Sequence, residues 1–295
     1  MEEIIAQISH CDQVILIPHR HLHLYPLHAL PLVEYSCLFD RFSRGVHYAP
    51  SCQVLMASQN RQRPNFKQLF AVQNPTQDLS YADLEIEVIC RYFHTSYHVL
   101  AKAQATKANV IDTTTYLDSV HCVHFSCHGI FDLASPLDQS GLVLADQLLS
   151  LGEIFGIDLR QCRLVVLSAC ETGIIDHTST SDEYIGLPSG FLYAGCVNVV
   201  SSLWTVNQVS TAFLMIKFYQ NLMKNQSNVA KALNDAQRWL RDATQQELVE
   251  WTEKLNLDKD NMAKVKFSEK LGWYMSDHKP FEHPYHWAAF CAIGQ

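Results

Sequence analysis

The chain has 295 residues, 48% of them hydrophobic, enough to bury a sizeable core in one large or two small domains. Its formal net charge is −8 at pH 7 and no long block of like charges occurs, which argues against a nucleic-acid partner. No apolar run approaches the roughly 20 residues that a bilayer-crossing helix needs, and the opening MEEIIAQISH lacks a basic region followed by an apolar core, so a cytoplasmic chain without membrane contact is expected.

In chain order, KQLFAVQ (67–73) is an apolar run closed by NPTQDLS, whose Asn, Pro, Asp and Ser end a strand and open a helix over YADLEIEVICRYF. SYHVLA reads as a strand, TKANVIDTTTYL as a helix with Thr106 as its cap, VHCVHFSC as a strand, SGLVLADQLLS as a β-ribbon and LGEIFGIDL as a short helix. RLVVLSA (163–169) is continuously apolar and rich in Val and Leu, the pattern of a strand buried on both faces of a parallel sheet. LPSGFLYAG follows as a helix, and NVVSSLW (198–204) repeats the buried-strand pattern. Residues 206–223 and 227–242 carry apolar positions at helical spacing, and HWAAFCAIG (286–294) closes the chain as a strand. Strands alternating with helices predict a three-layer α/β sandwich with a mostly parallel central sheet. Residues 243–282, the most charged and least periodic part, read as an insertion. There is no internal repeat and no low-complexity tract.

Ten cysteines are scattered along the chain. Cys90, Cys122, Cys162, Cys196 and Cys291 lie in or beside apolar segments, which suits small core residues in a reducing compartment. Two stretches carry chemistry. HFSCHG (124–129) and RLVVLSACETG (163–173) would place His128 and Cys170 at the carboxyl ends of strands, where parallel sheets present reactive groups. If those strands are neighbours, the imidazole can take the proton of the thiol and make a nucleophile for acyl transfer. Gly129 lets the backbone N–H approach a carbonyl oxygen, and the N–H of Cys170 is a second oxyanion donor. A cysteine that ends a buried strand can equally be a core residue, and spacing alone leaves both readings open. Cys127 should face away from the site if His128 faces in, because neighbouring strand residues alternate. Glu171, next to Cys170, fits a capping or loop-bonding role better than a catalytic one.

HFSCHGIFDLASPLDQSGLVLAD (124–146), RLVVLSACETG and GLPSGFLYAGCVNVVSSLWTVNQ (186–208) together resemble the CHAT family of caspase-like cysteine peptidases. The resemblance runs from ILIPHRHLHLYPLHAL (15–30) to the closing HPYHWAAFCAIG. It implies a caspase-like fold, with residues 1–66 as a subregion carrying a hairpin and 67–295 as a catalytic core interrupted by the insertion. It also implies an endopeptidase with His128 as base and Cys170 as nucleophile, and no metal or organic cofactor. Such domains often sit behind tetratricopeptide repeats in bacterial proteins, including regulated defence proteases, so a protein substrate and a regulatory protein or repeat region are the expected partners. The Ser/Thr/Asp-rich stretch 174–186 is the candidate for a switch.

Ser168, Ser201, Ser202, Trp204 and Asn207 are the substrate-binding candidates. Relatives that cut after Arg or Lys carry an acid in the first pocket, whereas Ser168 and Asn207 stand at two of its usual places. No arginine flanks the site to pair a carboxylate, so an uncharged residue before the cut is expected. His19, His21 and His23 would share one face on a strand, like a zinc site, but no acidic or cysteine ligand accompanies them, and no metal is expected. A caspase-like scaffold without activity is the second reading. A nucleotide-binding domain ranks last, since neither G-x-G-x-x-G nor G-x-x-x-x-G-K-[ST] occurs.

Overall fold

A computed structural model describes residues 2–63, 65–94, 96–112, 119–132, 134–168, 186–225, 228–255 and 262–295. The strands are β1 Val14–Leu16, β2 Val46–Tyr48, β3 Leu69–Gln73, β4 Tyr97–Ala101, β5 Cys122–Ser126, β6 His128–Ile130, β7 Gly141–Val143, β8 Leu148–Ser150, β9 Leu164–Leu167, β10 Asn198–Ser202 and β11 Phe290–Gly294. Eight of them form one sheet in the order β1-β2-β11-β10-β9-β5-β3-β4. All its neighbours are parallel except β10 and β11. β6, β7 and β8 form a separate antiparallel ribbon.

Burial on both faces explains the unbroken apolar runs. Cys122, Leu164, Val166 and Val200 face the layer of helices α1 (Ala82–Tyr92), α3 (Gln208–Asn225) and α4 (Val229–Asp242), whereas Val123, Phe125, Val165, Leu167 and Val199 face the layer that holds α2 (Leu187–Tyr193). Every residue of β9 is fully buried, each such Val or Leu contributing about 1.5–3 kcal/mol on transfer from water. The result is the expected three-layer sandwich. Asn228 caps α4 with its side-chain oxygen, and Asn109 N–H donates to the Thr106 hydroxyl at 3.2 Å, so Thr106 caps the helix Lys107–Asp112. Among the five cysteines assigned to the core, Cys122, Cys162, Cys196, Cys90 and Cys291 are all buried.

The charged segment 243–282 is less of an appendage than its composition suggests. It forms α5 (Gln245–Glu253) and α6 (Met262–Leu271), and Leu248, Trp251, Phe267, Leu271 and Phe281 are buried. The Phe213 ring of α3 lies 4.3 Å from Phe267 and 5.7 Å from Trp251 and from Phe281. These rings cover the outer side of α3.

The N-terminal segment departs from the hairpin expectation. β1 runs parallel to β2, and residues 20–24 and 27–29 are short 3₁₀ turns. Pro18 and Pro26 lack the N–H groups that a returning strand would donate. His21 and His23 therefore lie on a tight turn of about three residues, where positions two apart no longer share a face. That removes the strand geometry behind a zinc set. Asp40 ties this segment to α4, accepting from Arg241 Nη1 at 2.7 Å and Arg238 Nε at 2.9 Å. No helix among the described residues is long and apolar enough to cross a membrane.

His28 is drawn into the core, with Nδ1 2.8 Å from the Tyr48 hydroxyl and Nε2 3.3 Å from Gln237 Nε2. Burial pushes its pKa down to about 3, and that of His47 down to about 4, so both are neutral in the fold. The unfolded chain binds protons there below a pKa of about 6.5, so this stability is complete above that pH and is lost as pH falls toward about 3–4. The urea midpoint should drop between about pH 7.5 and about pH 5, and drop less in His28→Gln. Equal midpoints at both pH values would contradict the buried neutral histidines.

Candidate active site

β5 and β9 are adjacent and in register, Phe125 opposite Leu167, and Ser168 N–H extends the ladder to Phe125 O at 2.9 Å. The chain leaves β5 through Cys127 and enters β6 at His128. There, His128 pairs with Val143 and Gly129 with Leu142. Cys127, expected to face away, is buried in the bend between the two strands and also lines a cavity beside the strand ends. Gly141 of β7 has no room for a side chain, since a Cβ would sit 2.1 Å from Leu149 O, so the ribbon that carries His128 closes only with glycine there. Cys170 and Glu171 lie outside the described residues, as does the stretch 174–185.

The connection after β3 supplies a partner for His128 that sequence reading missed. Asn74 adopts φ +47 and Gln77 φ +63, left-handed conformations that reverse the chain. Asn74 N–H donates to Ser126 O at 2.8 Å and Asn74 Oδ1 accepts from Leu79 N at 3.0 Å, pinning the loop to the end of β5. Asp78 thereby reaches His128, its oxygens 2.9 and 3.0 Å from Nε2. Hydrogen bonds from the Thr76 hydroxyl and then from His128 hold the Asp78 carboxyl below its usual range. An ionised carboxylate only accepts, so Nε2 carries the proton and Nδ1 is left with the basic lone pair. An exposed pair of this kind adds about 0–1 kcal/mol to stability, so its consequence is the tautomer and ring orientation.

The five substrate-binding candidates separate. Ser168 is 7% exposed and its hydroxyl has no hydrogen-bond partner among the described residues. Ser201 and Ser202 are fully buried at the end of β10. Trp204 donates its indole N–H to Tyr285 O at 3.2 Å. Asn207 is committed to capping: its Oδ1 accepts from Val209 N at 3.1 Å and Ser210 N at 3.2 Å at the start of α3.

Only Ser168 of these lines the narrow cavity beside the strand ends, whose water-accessible volume is about 30 Å³. Leu79, Tyr81 and Val206 form apolar walls, and Ser126, Gln208, Thr211 and Glu85 are further polar lining residues. Glu85, 3% exposed on α1, accepts from His124 Nε2 at 2.8 Å. His124 Nδ1 lies 3.1 Å from the Tyr219 hydroxyl, which lies 3.3 Å from Cys122 Sγ. Burial pushes the Tyr219 hydroxyl well up and the Cys122 thiol up to about 12, so both keep their protons. Removing one member of a buried pair such as Glu85–His124 typically costs about 3–5 kcal/mol.

An imidazole with a fixed tautomer, beside the strand that leads to a cysteine, has the parts of a thiol hydrolase. The CHAT domain family matches over residues 1–295. The chain belongs to that family. No curated protein matches it by sequence. Among solved structures, the CHAT domain is similar to yeast separase from the Saccharomyces cerevisiae separase–securin complex, with a TM-score of 0.56 and 13% identity over 95% of this chain and 15% of separase. It is also similar to the Arg-specific cysteine proteinase gingipain R, with a TM-score of 0.51 and 10% identity over 85% of this chain and 54% of gingipain. The complex of Porphyromonas gingivalis RgpB pro- and mature domains gives the same TM-score of 0.51 and 10% identity, over 85% of this chain and 55% of that one. The CHAT domain thus has the fold of the caspase-like cysteine peptidases and spans about half of gingipain and a small part of separase.

Long-range ¹⁵N–¹H spectra of His128 at about pH 7.5 should report the Nε2–H tautomer, and Asp78→Ala should convert it to a mixture while moving unfolding stability by no more than about 1 kcal/mol. An Nδ1–H tautomer in the unaltered protein would contradict the assigned role of Asp78.

Proposed function

We propose that this CHAT domain is a cysteine endopeptidase in which His128 is the base, Cys170 the nucleophile and Asp78 the positioning group. The observation that carries this reading is the in-register pairing of β5 and β9, the strands that lead to the two residues, with His128 held by Asp78 so that Nδ1 is the free base. Nδ1 takes the thiol proton as sulfur bonds to the scissile carbonyl carbon. The oxyanion that forms accepts from the N–H groups of Gly129 and Cys170. Collapse breaks the C–N bond, and His128 returns the proton to the leaving amine. Water, deprotonated by His128, then hydrolyses the thioester and frees the thiol. The scheme uses no metal or organic cofactor.

The substrate is a protein, and control falls to a regulatory partner or a repeat region in a bacterial defence or signalling setting within the cytoplasm. Oriented access to a dyad at strand ends suits such control, since loops there can be ordered from outside.

Incubating the purified chain with a proteome-derived peptide library and sequencing new N-termini tests this. Cys170→Ala should abolish cleavage with little change in folding, and His128→Ala should slow it by about 100-fold or more. Cleavage that survives Cys170→Ala would refute the dyad. No cleavage by the unaltered chain, together with no electrophile labelling at Cys170, would favour a scaffold.

A further inference from the structure

We propose that the arginine-lined recess at the amino-terminal ends of the central strands, at the far end of the sheet from His128, is a docking site for an acidic segment of a partner protein; the inference stands apart from the peptidase reading.

The recess has a volume of about 530 Å³ and lies where the chain enters β3, β9 and β10. Arg61 and Arg63 precede β3, Asp158 and Arg160 precede β9, and Gly195 lies between α2 and β10. β9 and the in-register β5 run away from it toward His128. Gly195 makes the corner possible. Its φ is +116 and a Cβ there would sit 3.0 Å from Arg160 N, so glycine lets the two loops close, with Leu159 N–H donating to Ala194 O at 2.8 Å.

The charges in this corner do not balance. Three guanidiniums meet one carboxylate, that of Asp158, a surplus of two positive charges on a chain whose net charge is −8. Asp158 is already engaged by Arg160, accepting from Nε at 2.8 Å. Arg63 is a staple: its Nε, Nη1 and Nη2 donate to Cys162 O, Gln62 O and Gly195 O. Burial, and then the charge of Arg61, push its pKa down. Arg61 is different. Its Nη1 donates to Leu192 O at 3.0 Å, whereas its Nε and Nη2 make no bond among the described residues. Those two nitrogens form the edge that grips a carboxylate with parallel hydrogen bonds.

The surroundings select the guest. Backbone N–H groups, which cradle phosphate, are spent: those of Arg61, Phe155, Ile157, Ala194 and Gly195 donate to carbonyls of the fold, and that of Arg160 donates to Asp158. Two lining side chains, Tyr193 and Arg160, are 73% and 81% exposed, too open a wall to enclose a small molecule. The Tyr193 ring stands edge-on to Phe155 with 5.2 Å between centroids, which offers an aromatic ledge to an apolar side chain beside the acid. Arginine forks next to an exposed aromatic ledge suit Asp or Glu flanking an apolar residue on a protein chain.

The test uses the full chain carrying Cys170→Ala, so that no cleavage consumes the probe, and fluorescence anisotropy of a fluorescein-labelled Glu-Glu-Leu-Glu-Glu peptide. It should bind with a Kd of about 100 μM or tighter at low salt and at least about fivefold more weakly at about 0.5 M NaCl. The matching Lys-Lys-Leu-Lys-Lys peptide should not bind. Arg61→Gln should weaken binding at least about tenfold, and Arg61→Lys, which keeps the charge without the fork, should recover only part of it. Arg61 also holds the Leu192 carbonyl, so the exposed variants Arg160→Gln and Tyr193→Ser serve where Arg61→Gln fails to fold. Each should weaken binding by about threefold or more. No binding of the acidic peptide up to about 1 mM, or an affinity that none of these variants changes, overturns the inference. ADP that binds more tightly than the peptide and is lost in Arg61→Gln overturns it in favour of a phosphate ligand. None of these outcomes bears on the dyad, which iodoacetamide labelling of Cys170 in the unaltered chain tests separately.

Discussion

Parallel pairing of β5 with β9 is the constraint on which the site depends. Both strands are closed on two faces by apolar layers, and their register cannot slip by one residue without sending Val165 and Leu167 into the wrong layer. That fixed register carries through Ser168 N–H to Phe125 O and through Asn74 N–H to Ser126 O, so the chain exits after β3, β5 and β9 are held at one edge of the sheet. Reactive groups can then be placed by short loops on a rigid frame.

The polar groups inside that frame divide by what they are asked to do. Asp40 with Arg238 and Arg241 joins the N-terminal segment to α4, and each of these charges has its opposite beside it. The Glu85–His124–Tyr219–Cys122 run is different: it is buried, its bonds are satisfied on the inner side, and its acidic end is open toward a cavity. A core built for stability alone would replace such a run with apolar side chains at little cost. Asp78, at the surface, adds little stability, and its effect is confined to which imidazole nitrogen holds the proton.

Much of this was legible in the residues. The Val/Leu runs of β5, β9 and β10 read as buried parallel strands because burial on both faces leaves no polar alternation, and HFSCHG and SACETG marked the strand ends. Asp78 was not legible, since its approach to His128 depends on left-handed turns at Asn74 and Gln77 that leave no periodic trace. Glu85 left a signal that went unread. It falls three residues after Ala82 and four before Ile89, on the apolar stripe of α1, whereas Glu87 on the same helix is exposed. A charge on a core-facing stripe marks either a buried pair or a site. The hairpin expectation at 15–30 failed because two prolines and a pair of 3₁₀ turns carry the chain across instead of back. Residues 243–282 looked like an insertion because their buried aromatics are few and widely spaced, although those aromatics complete the cover over α3.

The central claim is that His128 and Cys170 form one proton-sharing site. The most direct measurement is the pH dependence of the iodoacetamide alkylation rate at Cys170, in the unaltered chain and in His128→Gln. The account predicts a rate at neutral pH well above that of an ordinary thiol, falling in the variant to a profile that rises only toward the usual thiol pKa of about 8.5. Superimposable profiles for the two proteins would contradict it.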